Sequence, residues 1–221
     1  MNHIFFSILT ALAFSACSAP EVPKKRTLQT YVRYLADTKK LRAEATFLEG
    51  SPTPMPVEMP GGTTFQGLPM KIRPIQGLTY QTEYPAEHTP KHQFGWQSAD
   101  GKRHEFEMEM LPVTRFRFDQ EPVSVHTPNT FRWEGGNVEN GEVLVFLWEN
   151  LDTRETVKME IVQNLAGSEI RFPAVKLAEL KPGKWTLYLV RKRLRKALVG
   201  TVEVSGITEF YSKTDTVEVR D

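Results

Sequence analysis

The stretch Phe94-Gly95-Trp96-Gln97-Ser98-Ala99-Asp100-Gly101-Lys102-Arg103-His104-Glu105-Phe106-Glu107-Met108-Glu109-Met110 decides the fold class. From Glu105 to Met110 acidic and apolar residues alternate strictly, the period of a strand with one buried and one solvated face. A two-residue Asp100-Gly101 loop would set Trp96 opposite Glu105. A three-residue loop, Ala99-Asp100-Gly101, instead puts Phe94 opposite Phe106 and Trp96 opposite His104 on one face, with Gly101 in the left-handed conformation. The second register is the better one. Phe106, Met108 and Met110 then face a core, and Glu105, Glu107 and Glu109 face water. The alternation explains the three glutamates as a solvated strand face, without an acid/base or metal cluster.

Upstream, residues 50–62 contain Pro52, Pro54, Pro56 and Pro60, which removes ladder donors and confines the segment to a loop or an edge. Short strand candidates recur at 63–66, 70–73 and 78–84 between Gly and Pro, the punctuation of a sandwich or barrel. Nearer the start, Leu28, Tyr31, Val32 and Leu35 fit a helical stripe, whereas Leu41, Ala43, Ala45 and Phe47 alternate with Arg42, Glu44 and Thr46. Asp37-Thr38-Lys39-Lys40 looks like a hairpin turn. The reading is two strands, 30–36 and 41–49, with a short helix as the competing reading.

Downstream, Val113 to Phe118 reads as the last strand of a first module and Gln120-Glu121-Pro122 as a short junction. Phe131-Arg132-Trp133, Glu142 to Trp148 and Val157 to Val162 read as strands. The run Leu177 to Val190 contains Leu180-Lys181-Pro182-Gly183-Lys184-Trp185. This arrangement resembles the turn before the sixth strand in fibronectin type III and related immunoglobulin-like modules, over roughly residues 123–221. The resemblance implies that the aromatic locks a corner between two sheets while Pro-Gly makes the turn. Trp185 stands one position earlier than the common Tyr, with Thr186 in that place, and an indole has a donor but no hydroxyl. Trp133, Trp148 and Trp185 are the expected core of this second module. The expected fold class is all-β: two tandem immunoglobulin-like β-sandwich modules, 28–120 and 121–221, after a lipoprotein signal peptide (1–16) and a tether (17–27).

Arg191-Lys192-Arg193-Leu194-Arg195-Lys196 is the densest charge run in the chain, and the pattern places it at a hairpin tip before Val199 to Val204. Arg191, Lys192, Arg193, Arg195 and Lys196 form a candidate anionic-ligand tip for phosphate, glycan or lipid headgroups. The competing reading is a solvated turn that keeps an edge from pairing.

The start of the chain carries its address. Ile4 to Phe14 is the length of a signal-peptide core and short of the ~20 apolar residues of a spanning helix. Phe14-Ser15-Ala16 precede Cys17, the one cysteine, and resemble the lipobox of bacterial lipoproteins. That resemblance implies cleavage before Cys17, a diacylglyceryl thioether on its sulfur and an acylated N-terminus, hence membrane lipid as a partner and an outer-membrane lipoprotein of the bacterial cell envelope. The alternative is an ordinary secretory signal cut near Ala16 or Ala19. Residues 18–26 contain two prolines and no apolar periodicity, and extended they reach on the order of 28 Å.

A formal net charge of +1 supplies no global field to steer nucleic acid, so no nucleic-acid partner is expected. His88 and His92 stand four apart, but Pro90 between them forbids the helix that would bring them to one face as zinc ligands. His104 and His126 lie singly. The loop from Glu134 to Glu142 lacks the alternating-ligand spacing of a calcium loop and reads as a turn-rich connector. No catalytic, metal or cofactor site is therefore expected. The expected function is a lipid-anchored, non-catalytic binding or structural module with an envelope protein or glycan partner. The alternative is an envelope hydrolase whose site assembles from distant loops.

Overall fold

The computed structural model describes residues 25–73, 77–161 and 167–221. Cys17, the leader and most of the tether lie outside them. Ten strands precede residue 120: β1 (Arg26–Leu35), β2 (Lys40–Glu49), β3 (Met55–Val57), β4 (Thr63–Phe65), β5 (Leu68–Pro69), β6 (Lys71–Arg73), β7 (Thr79–Pro85), β8 (Lys91–Gln97), β9 (Arg103–Glu109) and β10 (Phe116–Phe118). Eight follow: β11 (Val123–Ser124), β12 (Asn129–Trp133), β13 (Glu142–Asn150), β14 (Thr156–Ile161), β15 (Glu169–Phe172), β16 (Gly183–Val199), β17 (Val202–Tyr211) and β18 (Asp215–Arg220). A single helical turn, α1 (Ala174–Leu177), lies between β15 and β16. The protein is all-β.

Alternation builds the elements. In β1 the buried positions are Leu28, Thr30, Val32 and Tyr34, and in β2 they are Leu41, Ala43, Ala45 and Phe47. These faces coincide when the strands pair antiparallel, with Val32 opposite Ala43. The β8–β9 hairpin forms with Phe94 opposite Phe106 and Trp96 opposite His104, and Gly101 takes φ 83°. That left-handed angle suits a residue without a Cβ.

Eleven strands share one sheet, running β11-β18-β16-β17-β1-β2-β7-β6, with β13 and β14 continuing from β16 and β3 from β2. The sheet β5-β4-β8-β9 covers one half of it, and the sheet β10-β12-β15 covers the other. The first core joins Leu28, Val32 and Phe47 to Phe94, Phe106 and Met108. The second joins Phe131, Phe172 and Phe118 to Phe146, Trp148 and Trp185. Fully burying one such large apolar side chain contributes about 1.5–3 kcal/mol.

The cores do not divide at residues 120/121. Met110 belongs to the first core and Val113 to the second, so the chain crosses at Leu111-Pro112. It crosses back inside β16, where Leu189 lies in the second core and Ala197 packs on the first. Val202, Val204 and Phe210 of β17 complete the first core, because β17 pairs in parallel with β1 over ten residues. The stretch from Val113 to Phe118 is correspondingly not the last strand of a first module: β10 pairs with β12 and helps cover the second core.

Candidate functional site

The basic run is not a hairpin tip. It lies within β16, and the turn falls at Gly200, φ 61°, just before β17. The period of two sorts its charges to the two faces. Arg191, Arg193 and Arg195 point toward the covering layer; Lys192 and Lys196 share the outer face with Leu194 and Leu198.

Arg191 is buried, and its guanidinium donates to the Gly135 carbonyl at 2.6 Å, to the Asn137 carbonyl and to Glu142 at 2.5 Å. Glu142 also accepts the Glu139 amide at 2.9 Å. Arg193 reaches Glu109 at 2.6 Å and Glu139 at 3.3 Å. Arg195 donates to the Glu107 carbonyl and lies 5.4 Å from the centre of the Phe106 ring. These arginines clamp the 134–142 connector and β9 to the sheet at the seam between the cores. Gly135 is required there, because a Cβ would come within 1.9 Å of the Pro112 carbonyl oxygen.

On the outer face Lys192 meets Glu209 at 2.8 Å, and Tyr31 and Tyr211 donate to the same carboxylate at 2.6 and 2.9 Å. Burial opposes the Glu209 charge, but these three donors outweigh it and hold its pKa below the usual carboxylate range. Burial and the same carboxylate push the Tyr211 hydroxyl up to about 12. Three of the five basic residues expected to meet an anionic ligand, Arg191, Lys192 and Arg193, thus already meet carboxylates of this chain.

A second candidate lies elsewhere. A groove of about 670 Å³ opens beside β10, with Arg115, Phe116 and Arg117 on one wall, Arg132 and Trp133 behind them, and Lys213 and Asp215 at the other side. β10 pairs on one side only, and β18 meets β11 only at Val219 and Arg220, so two strand edges flank the groove with unpaired backbone among the described residues. Its lining carries four cations, Arg115, Arg117, Arg132 and Lys213, against Glu134 and Asp215. Arg132 is engaged with Asp119 at 2.8 Å and with Glu169, and its hydrogen bonds lower the Asp119 pKa. Arg115 approaches Glu134 only to 3.8 Å. Thr214 fixes the far wall through a 2.8 Å bond to Asp37. Sequence reasoning missed this groove because its walls are a hundred residues apart in the chain; the unpaired Arg115-Phe116-Arg117 pattern was the available signal.

His88 and His92 do not meet as ligands: His88 contacts the Met110 carbonyl at 3.0 Å, and His92 is buried against Phe65. Among the described residues no three His, Cys, Asp or Glu side chains converge on a metal position.

No protein-family model and no curated protein matches the chain. Among solved structures, a cytokine receptor complex aligns with 86% of this chain and 95% of its own at 9% identity and a TM-score of 0.35. Fibronectin(III)-like modules of Clostridium thermocellum CbhA align with 86% and 92% at 12% identity and a TM-score of 0.28. An alpha-2-macroglobulin of Salmonella aligns with 92% of this chain and 16% of its own at 11% identity and a TM-score of 0.24. Scores this low place the chain in no family, and the fold stands on its own sheets and cores.

Proposed function

We propose that the protein is a non-catalytic binding module of the bacterial cell envelope, held on membrane lipid through acylated Cys17, that receives an acidic, extended segment of a partner protein in the groove beside β10. The observation that carries the reading is the pair of unpaired strand edges flanking a cleft with an excess of cationic side chains. An added strand gains backbone hydrogen bonds from such an edge, and alternate side chains set the specificity. Acidic positions on that strand would meet Arg115, Arg117 and Lys213. The continuous sheet through both cores supports a rigid display of the cleft.

A peptide of alternating glutamate and valine titrated into the mature chain should bind, and the affinity should fall as salt shortens the screening length. Arg115→Glu with Arg117→Glu should abolish it. Equal binding by that variant, or by a lysine–valine peptide, would overturn the groove as the site. Separately, Cys17→Ser should remove palmitate labelling and release the protein from membranes, and label that persists would remove the anchor from the proposal.

A further inference from the structure

We infer that the end of the first core bearing the β16–β17 turn rests on the bilayer surface as an electrostatic and apolar contact, which orients the groove away from the membrane. The inference rests on the acylated Cys17 of the proposed function.

The chain enters the fold at this end. Arg26 lies beside Val202 at the turn, Lys25 accepts the Gly50 amide at 3.0 Å, and the Lys25 ammonium pairs with Glu203 at 3.1 Å. Between Cys17 and Lys25 there are eight residue steps, about 25 Å when extended. β16 alone, Gly183 to Val199, spans about 50 Å at ~3.3 Å per residue. The tether is shorter than the body it carries, so the turn end stays near the lipid.

The same end has the surface such a contact needs. Leu198 is 70% exposed and Met55 61%, and Met55 belongs here because it pairs with Glu49, which pairs with Arg26. The β8–β9 turn sits alongside, its His104 ring so near Gly200 that a Cβ there would lie 2.8 Å away. Lys102 of that turn, Arg103 at the start of β9 and Lys196 of β16 have no ion-pair partner among the described residues. The neighbouring carboxylates are occupied: Glu49 by Arg26, Glu203 by Lys25, Asp100 by the Ser98 hydroxyl and the Lys102 amide. Uncommitted cations beside exposed apolar side chains are what an interfacial contact with anionic lipid requires. The groove's Asp215 is opposite Leu187, twelve residues up β16 from Val199, or about 40 Å from this surface.

The test uses the acylated full chain in vesicles of phosphatidylcholine with phosphatidylserine, carrying a fluorophore on Thr201→Cys or on Lys184→Cys, with spin-labelled headgroups as quencher. Quenching at position 201 should exceed that at 184 several-fold. Changing Lys102, Arg103 and Lys196 to Glu together should lower it at 201 without altering flotation or the melting midpoint. Equal quenching at both positions in protein that floats leaves the anchor standing and overturns this inference. A dimer in sedimentation with position 201 shielded from quencher overturns it in favour of a second copy on the Leu194, Leu198 and Ile207 face. Failure of the chain to take up palmitate at Cys17 removes the anchor and this inference with it while leaving the groove to its own test, and flotation reports that before any quenching is measured.

Discussion

The Arg191 guanidinium and the Glu142 carboxylate meet at 2.5 Å, both removed from solvent, 49 residues apart in the chain. The pair sits where β16 passes from one core to the other. Two ions withdrawn from water cost several kcal/mol each, and the Gly135 and Asn137 carbonyls offset part of that cost on the arginine side. Removing one partner leaves the other charged and buried. Arg191→Met should destabilise the protein by about 3–5 kcal/mol, and Arg191→Met with Glu142→Leu should recover much of the loss. Denaturant midpoints of the two single variants and the double variant measure the coupling. A double variant no more stable than the singles would show that the arginine acts through the connector carbonyls instead.

The exchange of strands between cores predicts the behaviour of fragments. Residues 121–221 contain β16 and β17 but lack β1, β2 and the β8–β9 hairpin that cover Val202, Val204 and Phe210. Expressed alone, that fragment should expose these residues and fail to unfold cooperatively. A sharp calorimetric transition in the isolated fragment would contradict the shared sheet.

Trp185 is fully buried, and its indole N–H donates to the Lys181 carbonyl at 2.8 Å. The donor that a corner hydroxyl would supply is thus supplied by the indole across the Pro182-Gly183 turn. Trp185→Ala should cost on the order of 3–5 kcal/mol and Trp185→Phe less; both lose the bond, about 1 kcal/mol, and the phenyl ring keeps much of the packing. Equal losses in the two variants would mean that the corner depends on the bond and not on packing.

Local rules made the β8–β9 register legible, since loop length and alternation both lie within Phe94 to Met110. The same rules read β1 and β2, because Leu41, Ala43, Ala45 and Phe47 alternate cleanly. They failed at Arg191 to Lys196. A dense basic run reads as a solvated turn, and nothing within six residues reveals that Arg191 is satisfied by Gly135, Asn137 and Glu142. One clue was present: Glu142 opens a buried strand, and a buried carboxylate needs a cation. The parallel pairing of β1 with β17 and the groove between β10 and β18 join segments far apart in the chain, so no window of sequence contains them. The reading of the leader and Cys17 as an address concerns residues outside those described.

Gly206 of β17 lies directly beneath the covering layer over the first core. A Cβ there would meet Met108 Sδ at 2.1 Å, Thr30 Oγ1 at 2.6 Å and Phe106 Cε1 at 2.8 Å. The methionine can bend, but the ring and the hydroxyl are held by their strands. Gly206→Ala should lower stability by about 1–3 kcal/mol, as overpacking does, and Gly206→Val by more. Met108→Ala should cost less in the Gly206→Ala background than in the parent. Additive losses would place the strain at Phe106 and Thr30.

His92 gives the fold a pH dependence. It is 1% exposed, it stacks on Phe65 at 5.9 Å, and neither ring nitrogen has a hydrogen-bond partner among the described residues. Burial disfavours the imidazolium, with a smaller contribution from His88, and lowers the pKa from 6.5 to about 4. Above pH 6.5 both folded and unfolded chains hold the ring neutral, so His92 makes no pH-dependent difference. As the pH falls from 6.5 toward about 4 the unfolded chain takes up a proton that the folded chain refuses. Stability should fall through that window by about 1.4 kcal/mol per unit, roughly 3 kcal/mol in all. His88, also lowered by burial, contributes with the same sign. His92→Leu removes the titrating group and its unpartnered nitrogens, so the variant should be at least as stable as the parent at pH 5 and should lose most of the slope. Urea midpoints at pH 7.5 and pH 5 decide the matter: an unchanged difference between them in His92→Leu would assign the acid sensitivity to His88 or to the carboxylates.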